Sequence, residues 1–306
     1  MSFLYLNLFI FCVTLQFLKE YSVNLIIDIG NTSAKLAVFD QGEMKDILRC
    51  SNQSLQGLEA FCNRYPIRKG IICSVVSLTD EIRQAIHSLP FPVMEFTYQT
   101  PIPVKNLYKT PETLGMDRLA AVVAAQAMKA SCPILVIDAG TCITYDFMDE
   151  FGNYQGGNIS PGLEMRFNAL HHFTSKLPKI SAEGETPPYG QTTETAIRAG
   201  VLRGIEFEIK GYISELQKNY PSLFVFLTGG NGFSFDTNLK STIFADGLLV
   251  LKGLNRILEY NDYLNAETYK NIFASDAYDL SKSSQGILPK LYAKDGEVVE
   301  KGKLIA

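Results

Sequence analysis

One turn occurs twice in this chain and constrains its fold more than any other feature. Asp28-Ile29-Gly30-Asn31-Thr32 follows the apolar run Leu25-Ile26-Ile27, and Asp138-Ala139-Gly140-Thr141 follows Ile134-Leu135-Val136-Ile137. Each reads as a buried strand that ends in an acid and turns back on a glycine. Glycine lets the backbone approach a ligand closely, so that nearby amide groups can point at phosphate oxygens. The threonine hydroxyl adds a donor, and the aspartate at the strand end can hold a cation or an attacking group. One such turn is common in hairpins that carry no chemistry. Two in matching contexts imply a duplicated domain with a nucleotide between the halves.

The bulk properties agree with that. At 306 residues the chain has room for two similar domains, and 46% hydrophobic with 20% charged residues is ordinary for a soluble enzyme. A net charge of −4 leaves no electrostatic footprint for nucleic acid. Cys12, Cys50, Cys62, Cys73, Cys132 and Cys142 form no C-x-x-C pair, which fits reduced thiols in a cytoplasmic setting. His87, His171 and His172 have no partner at metal-ligand spacing.

Residues 1–22 are read as a leader outside the fold. The apolar run Phe3–Leu18 is short for a spanning helix and lacks a basic n-region or an A-x-A cleavage pattern. The expectation is an extension ahead of a true start near Val23, the alternative a disordered or weakly membrane-associating leader, and in neither case stable membrane insertion. A first half over 23–131 starts with strands Asn24–Ile29, Ala34–Phe39 and Glu43–Cys50. Helix Leu55–Tyr65, strand Gly70–Val76, helix Thr79–Leu89 and strand Phe91–Phe96 follow. A long helix is expected over Pro111–Ala130. The second half, 132–264, restarts with strands Pro133–Asp138, Cys142–Met148 and Tyr154–Ile159 and helix Gly162–Phe173. Lys176–Tyr189 reads as an irregular loop, Thr192–Asn219 as a helix, Leu223–Leu227 as a strand and Asp246–Glu259 as a closing helix. The folding body is expected to end near Leu264, and the polar tail 265–306 carries no assigned function. Three antiparallel-type strands followed by alternating helix and strand, twice over, is a duplicated ribonuclease-H-like α/β pattern with a nucleotide cleft between the halves.

Four segments carry candidate chemistry. In Asp28–Lys35 the turn amides and Thr32 can cradle phosphate, and Lys35 can neutralise charge. In Gly115-Met116-Asp117-Arg118 the acid and base stand side by side in a helix's first turn, either as a surface ion pair worth little or, following Tyr108 and Pro111-Glu112-Thr113, as a shaped substrate wall. Asp138–Thr141 is the second turn. Thr228-Gly229-Gly230-Asn231-Gly232 lets an adenine or ribose approach the backbone.

With these segments in order the chain resembles the type III pantothenate kinases, of the acetate and sugar kinase, Hsp70 and actin superfamily. The likeness runs over about Asn24–Glu259 and rests on D-I-G-N-T-S-A-K, Y-x-x-P-E-T-L-G-M-D-R, I-D-A-G-T, G-G-x-I-S-P-G, G-x-x-T-x-x-A-I-x-x-G and T-G-G. The resemblance implies that Asp28, Ile29, Gly30, Asn31, Thr32, Ser33, Ala34 and Lys35 form the ATP phosphate loop, with Thr141 a further ATP contact. It implies that Tyr108, Gly115, Met116, Asp117 and Arg118 bind pantothenate, with Asp117 the proton acceptor. Asp138 then coordinates K⁺ or NH₄⁺, and Thr193 reaches pantothenate across a homodimer interface.

The implied reaction transfers a phosphoryl group from Mg²⁺-bound ATP to pantothenate, which opens coenzyme A biosynthesis. Such a transfer depends mainly on in-line positioning and charge neutralisation, plus a carboxylate within reach of the alcohol proton. Asp117 beside Arg118 is expected to stay ionised as a base must, while Asp28 acts on Mg²⁺ directly or through water. Arg118 can bind pantothenate or the transferred phosphate. Two competing readings stand beside this one: another small-molecule kinase of the superfamily, and a non-catalytic nucleotide-binding regulator or accessory factor.

Overall fold

The computed structural model describes residues 23–230 and 243–274, with side chains as far as residue 266. The leader 1–22, the loop residues Asn231 and Gly232, Cys12 and most of the tail lie outside the described residues.

Strand β1 (Val23–Ile29) is buried at every position, as a strand covered on both faces must be. It pairs antiparallel with β2 (Ala34–Asp40), which is joined through Gln41 and Gly42 to β3 (Glu43–Cys50). Both turn residues have positive φ, the geometry a two-residue hairpin requires. On its other side β1 pairs in parallel with β4 (Ile67–Ser74), and β5 (Val93–Glu95) completes the order β3-β2-β1-β4-β5. Helices α1 (Leu58–Cys62) and α2 (Asp80–His87) pack on the outer face of this sheet, in a core with Leu25, Ile27 and Leu36. Thr79 caps α2 by accepting from the Ile82 amide at 3.2 Å.

The second sheet holds β6 (Lys105–Asn106), β7 (Ile134–Ala139), β8 (Cys142–Met148), β9 (Asn153–Pro161), β10 (Phe224–Thr228) and β11 (Ile243–Ala245). Its order is β11-β10-β7-β8-β9-β6. With the two-residue β6 set aside, β9-β8-β7-β10-β11 repeats the first sheet's order, so β7 is the counterpart of β1. The fold is a pair of ribonuclease-H-like units. Helices α4 (Leu163–His172) and α5 (Thr193–Asn219) cover the outer face of the second sheet.

Helices α3 (Met116–Met128) and α6 (Leu249–Ala274) share one core with both sheets: Leu119 to Ala125 and Leu249 to Leu258 pack with Ile26 and Ile71 of the first and Ile134, Val136 and Phe226 of the second. The alanine-rich face of α3 permits close approach. A Cβ on Gly253 would overlap the Ala120 carbonyl, so the two helices cross backbone to backbone.

Three expected elements differ. The helix placed over Pro111–Ala130 is two pieces: Pro111–Thr113 makes one 3₁₀ turn, Leu114 and Gly115 are extended, and α3 starts at Met116. The helix placed over Leu55–Tyr65 shrinks to α1, because Leu55 and Gly57 both take left-handed backbone ahead of it. The closing helix begins at Leu249 rather than Asp246, whose carboxylate accepts from the Leu248 amide, and it continues past Glu259 and Leu264 through Ala274.

Candidate active site

The two repeated turns leave the ends of the central strands β1 and β7, and the fold brings them face to face. Thr32 Oγ1 and Thr141 Oγ1 stand 3.5 Å apart. The first turn is closed by Gly30 N–H donating to the Ser33 carbonyl at 3.0 Å. It is braced from outside by Asn52, whose amide donates to the Gly30 and Asn31 carbonyls at 2.9 Å each. The second turn is closed by Gly140 N–H to the Cys142 carbonyl at 2.9 Å, and Gly162, capping α4, donates to the Thr141 carbonyl at 3.1 Å. The Thr228-Gly229 end of β10 sits beside it: Thr228 pairs with Asp138, and Gly229 at φ +106° lies against the Ala139 backbone.

Asp117 enters from the first turn of α3, between the two sheets, where the unpaired amides of a helix N-terminus favour a carboxylate. Its Oδ1 accepts from the Arg118 amide at 2.8 Å. A Cβ on Gly115 would come within 2.6 Å of that oxygen, so a side chain here would displace the carboxylate. A cavity of about 370 Å³, lined by Ser74, Phe96, Tyr98, Glu112, Gly115 and Met116, opens beside this turn.

Three carboxylates crowd one another. Asp28 faces Lys35 across the hairpin at 3.7 Å, yet burial outweighs that lysine and, with the field of Asp117, raises its pKa. Burial likewise raises Asp117, with Asp146 adding to the rise and the Arg118 amide opposing it. Asp138 is pushed up to about 7, first by burial and then by Asp117, with Lys35 opposing. The asymmetry has a cause in the register: Asp28 lies opposite a lysine, whereas Asp138 lies opposite Thr144.

Arg118 corrects one expectation. It is buried, 6% exposed, and its guanidinium pairs with Asp146 rather than Asp117. Nε lies 3.0 and 3.2 Å from the two Asp146 oxygens and Nη2 2.7 Å from Oδ1. Burial is the largest influence on the Asp117 pKa, and the amide and charge of Arg118 only partly oppose the rise. The Tyr108 ring lies 5.9 Å from the Arg118 guanidinium carbon and stacks on Tyr154 at 6.3 Å. Positive φ at Gly156 makes room for it.

The structure thus gathers Asp28 to Lys35, Tyr108, Gly115 to Arg118, Asp138 and Thr141 in one region. Thr193 is elsewhere: it is exposed at the start of α5 and lines a cavity of about 730 Å³ with Arg166, Leu170, Leu177, Ile197 and Gly200. Asn52, Asp146 and Tyr154 are functional neighbours that sequence reasoning missed. Asp146 alone carried a signal, as the one charged residue within β8. Among the described residues no three His, Cys, Asp or Glu side chains form a metal cage, and Cys50, Cys62, Cys73, Cys132 and Cys142 are free thiols. No helix among them is long and apolar enough to cross a membrane.

The chain is similar to proteins of one family. A family model described as type III pantothenate kinase matches residues 24–215. A type III pantothenate kinase from Phocaeicola vulgatus is 66% identical over 242 residues, covering 79% of this chain and 100% of that protein. One from Bacteroides fragilis is 60% identical over 240 residues, covering 78% and 99%. Among solved structures, a protein described as a Baf family transcriptional activator from Campylobacter jejuni superposes with a TM-score of 0.51 at 22% identity, covering 78% of this chain and 99% of that one. At that identity the likeness speaks for the fold alone.

Proposed function

The chain belongs to the type III pantothenate kinases, and we propose that it transfers the γ-phosphoryl group of ATP to the primary hydroxyl of pantothenate, the first step of coenzyme A biosynthesis. The observation that carries this reading is the meeting of the two turns, Thr32 against Thr141 at 3.5 Å, with Asp117 presented beside them from α3. In this account the lobes are residues 23–131 and 132–264, and the triphosphate lies between them.

Phosphoryl transfer asks the protein for position and charge compensation rather than covalent chemistry. Asp28, Ile29, Gly30, Asn31, Thr32, Ser33, Ala34 and Lys35 hold the phosphates from one side, and Thr141 from the other. Asp28 would hold the Mg²⁺ bound with ATP, directly or through water, and that ion would supply compensation for the spreading charge. Pantothenate lies against Tyr108, Gly115, Met116 and Arg118, with its hydroxyl at Asp117. A pKa raised by burial suits a general base, because proton transfer is most effective when the base's pKa approaches the working pH.

A monovalent cation fits at Asp138. Residues directly opposite in an antiparallel pair point to the same face, and opposite Asp138 stands Thr144, whose Oγ1 is buried without a hydrogen-bond partner among the described residues. A carboxylate that burial disfavours beside an unpartnered hydroxyl oxygen is a hard-oxygen donor set for K⁺ or NH₄⁺. The cation would restore the charged form of Asp138 next to the phosphates.

Thr193 completes the site from a second copy. Along α5 Gly200 and Gly204 have open space where a side chain would stand, and Phe207 is exposed, so this helix can receive a close neighbour. The assembly is a homodimer working in the cytoplasm. Light scattering on the purified protein, with and without ATP and pantothenate, tests the dimer: a monomer with full activity would overturn the shared site.

A further inference from the structure

We infer that Asp146 is a positioning residue for pantothenate: its buried carboxylate fixes the Arg118 guanidinium and, through the same residue, the carboxylate of Asp117. The inference rests on the kinase reading above and assigns a role to a residue outside its phosphate and substrate loops.

Asp146 lies in the middle of β8 at 1% exposure. It accepts three groups from two other elements. Arg118 supplies Nε and Nη2 from the first turn of α3, and Tyr154 of β9 donates its hydroxyl to Oδ1 at 2.7 Å. The fork uses two of the three guanidinium nitrogens side-on, which fixes the plane of the group as well as its position. Arg118's own backbone amide holds Asp117 Oδ1 at 2.8 Å. One carboxylate of the second lobe therefore anchors the turn that presents the base, and it orients the arginine over Tyr108.

Packing alone would not call for this construction. A buried ion pair costs so much desolvation that apolar residues of the same volume serve stability as well or better. Tyr154 is fully buried, and its hydroxyl is spent on the same oxygen that receives Arg118 Nη2. What a bidentate, doubly braced arginine supplies is a fixed plane beside Tyr108, the ring assigned above to the pantothenate wall.

The test is steady-state kinetics of Asp146→Asn, Tyr154→Phe, Arg118→Lys and the Asp146→Asn/Arg118→Lys double variant, with ATP and pantothenate varied separately. Asp146→Asn is expected to lower kcat/KM for pantothenate by about 10- to 100-fold, the cost of roughly 1 Å of misplacement or less, while KM for ATP stays within about twofold. Tyr154→Phe, which keeps the ring and removes one bond, is expected to shift the same parameter by less. In the Arg118→Lys background the Asp146 change is expected to add little, because residues in contact couple. Circular dichroism melts establish which variants fold, and if Asp146→Asn does not, Tyr154→Phe carries the test. A KM for ATP raised as much as that for pantothenate, or additive effects in the double variant, overturn the inference. Wild-type protein that does not phosphorylate pantothenate overturns the kinase reading itself, a different result from active wild type with variants that show no split.

Discussion

Replacing Gly162 with alanine should disable the second phosphate turn while leaving the fold in place. Gly162 has φ −71° and ψ 178°, backbone that alanine adopts without strain, so the effect is purely steric. An added Cβ would stand 2.5 Å from the Gly140 carbonyl oxygen and closer still to that of Thr141, where ordinary contact begins at 3.4 Å. The Gly140-Thr141 segment, or the start of α4, must therefore give way by about 1 Å. The Gly162 N–H to Thr141 bond at 3.1 Å and the Thr32–Thr141 approach both depend on that backbone. Misplacement by 1 Å costs about 10²-fold in rate where catalysis rests on positioning, and overpacking one methyl group costs about 1–3 kcal/mol of stability. We expect a folded protein with a lowered melting temperature, turnover down about 10²-fold and a raised KM for ATP, read by coupled ADP release. Near-normal turnover would refute the claim that this turn holds the triphosphate.

Three further outcomes follow from the site. Asp117→Asn should bind ATP nearly as wild type and lose about 10²–10⁴-fold in kcat, the range for a general base. In the wild type the acid limb of the kcat/KM profile should lie above the ordinary carboxylate range, because burial raises Asp117 and activity is lost as pH falls through its pKa; a limb at the usual carboxylate value would count against it. Activity should rise with K⁺ or NH₄⁺ and stay low in Na⁺ alone, and this difference should vanish in Asp138→Asn; equal wild-type rates in all three salts would leave Asp138 without its cation. Gly200→Leu should fold normally, since nothing lies within 4 Å of a Cβ there and the position faces an open cavity, yet give a monomer with weakened pantothenate binding. Light scattering that still reports a dimer would move the interface off this part of α5.

The features that could be read from the chain were those carried by local chemistry. The apolar runs before Asp28 and Asp138 marked β1 and β7, and the Gln41-Gly42 turn fixed the β2–β3 hairpin. The restart of the strand pattern after Ala130 revealed the duplication. What failed was set by distance in the chain. Two-residue β6 exists only because Lys105 and Asn106 meet β9, and no periodicity announces so short a strand. Pro111-Glu112-Thr113 looked like a helix start, as proline at a first position does, but Leu114 and Gly115 extend so that Asp117 can turn into the site. The partner of Arg118 was hidden for the same reason: its guanidinium is claimed by Asp146 of β8, twenty-eight residues on. Thr193 carried no geometric signal, since its proposed partners lie on another copy of the chain.

The most direct test of the account is product identification. Purified protein is incubated with Mg²⁺, ATP, K⁺ and pantothenate, and the mixture is analysed by mass spectrometry and ³¹P NMR. The account predicts 4′-phosphopantothenate and ADP formed in equal amounts, with Asp117→Asn giving almost none. ATP binding without phosphorylated pantothenate, in protein whose melting curve shows it folded, would contradict it.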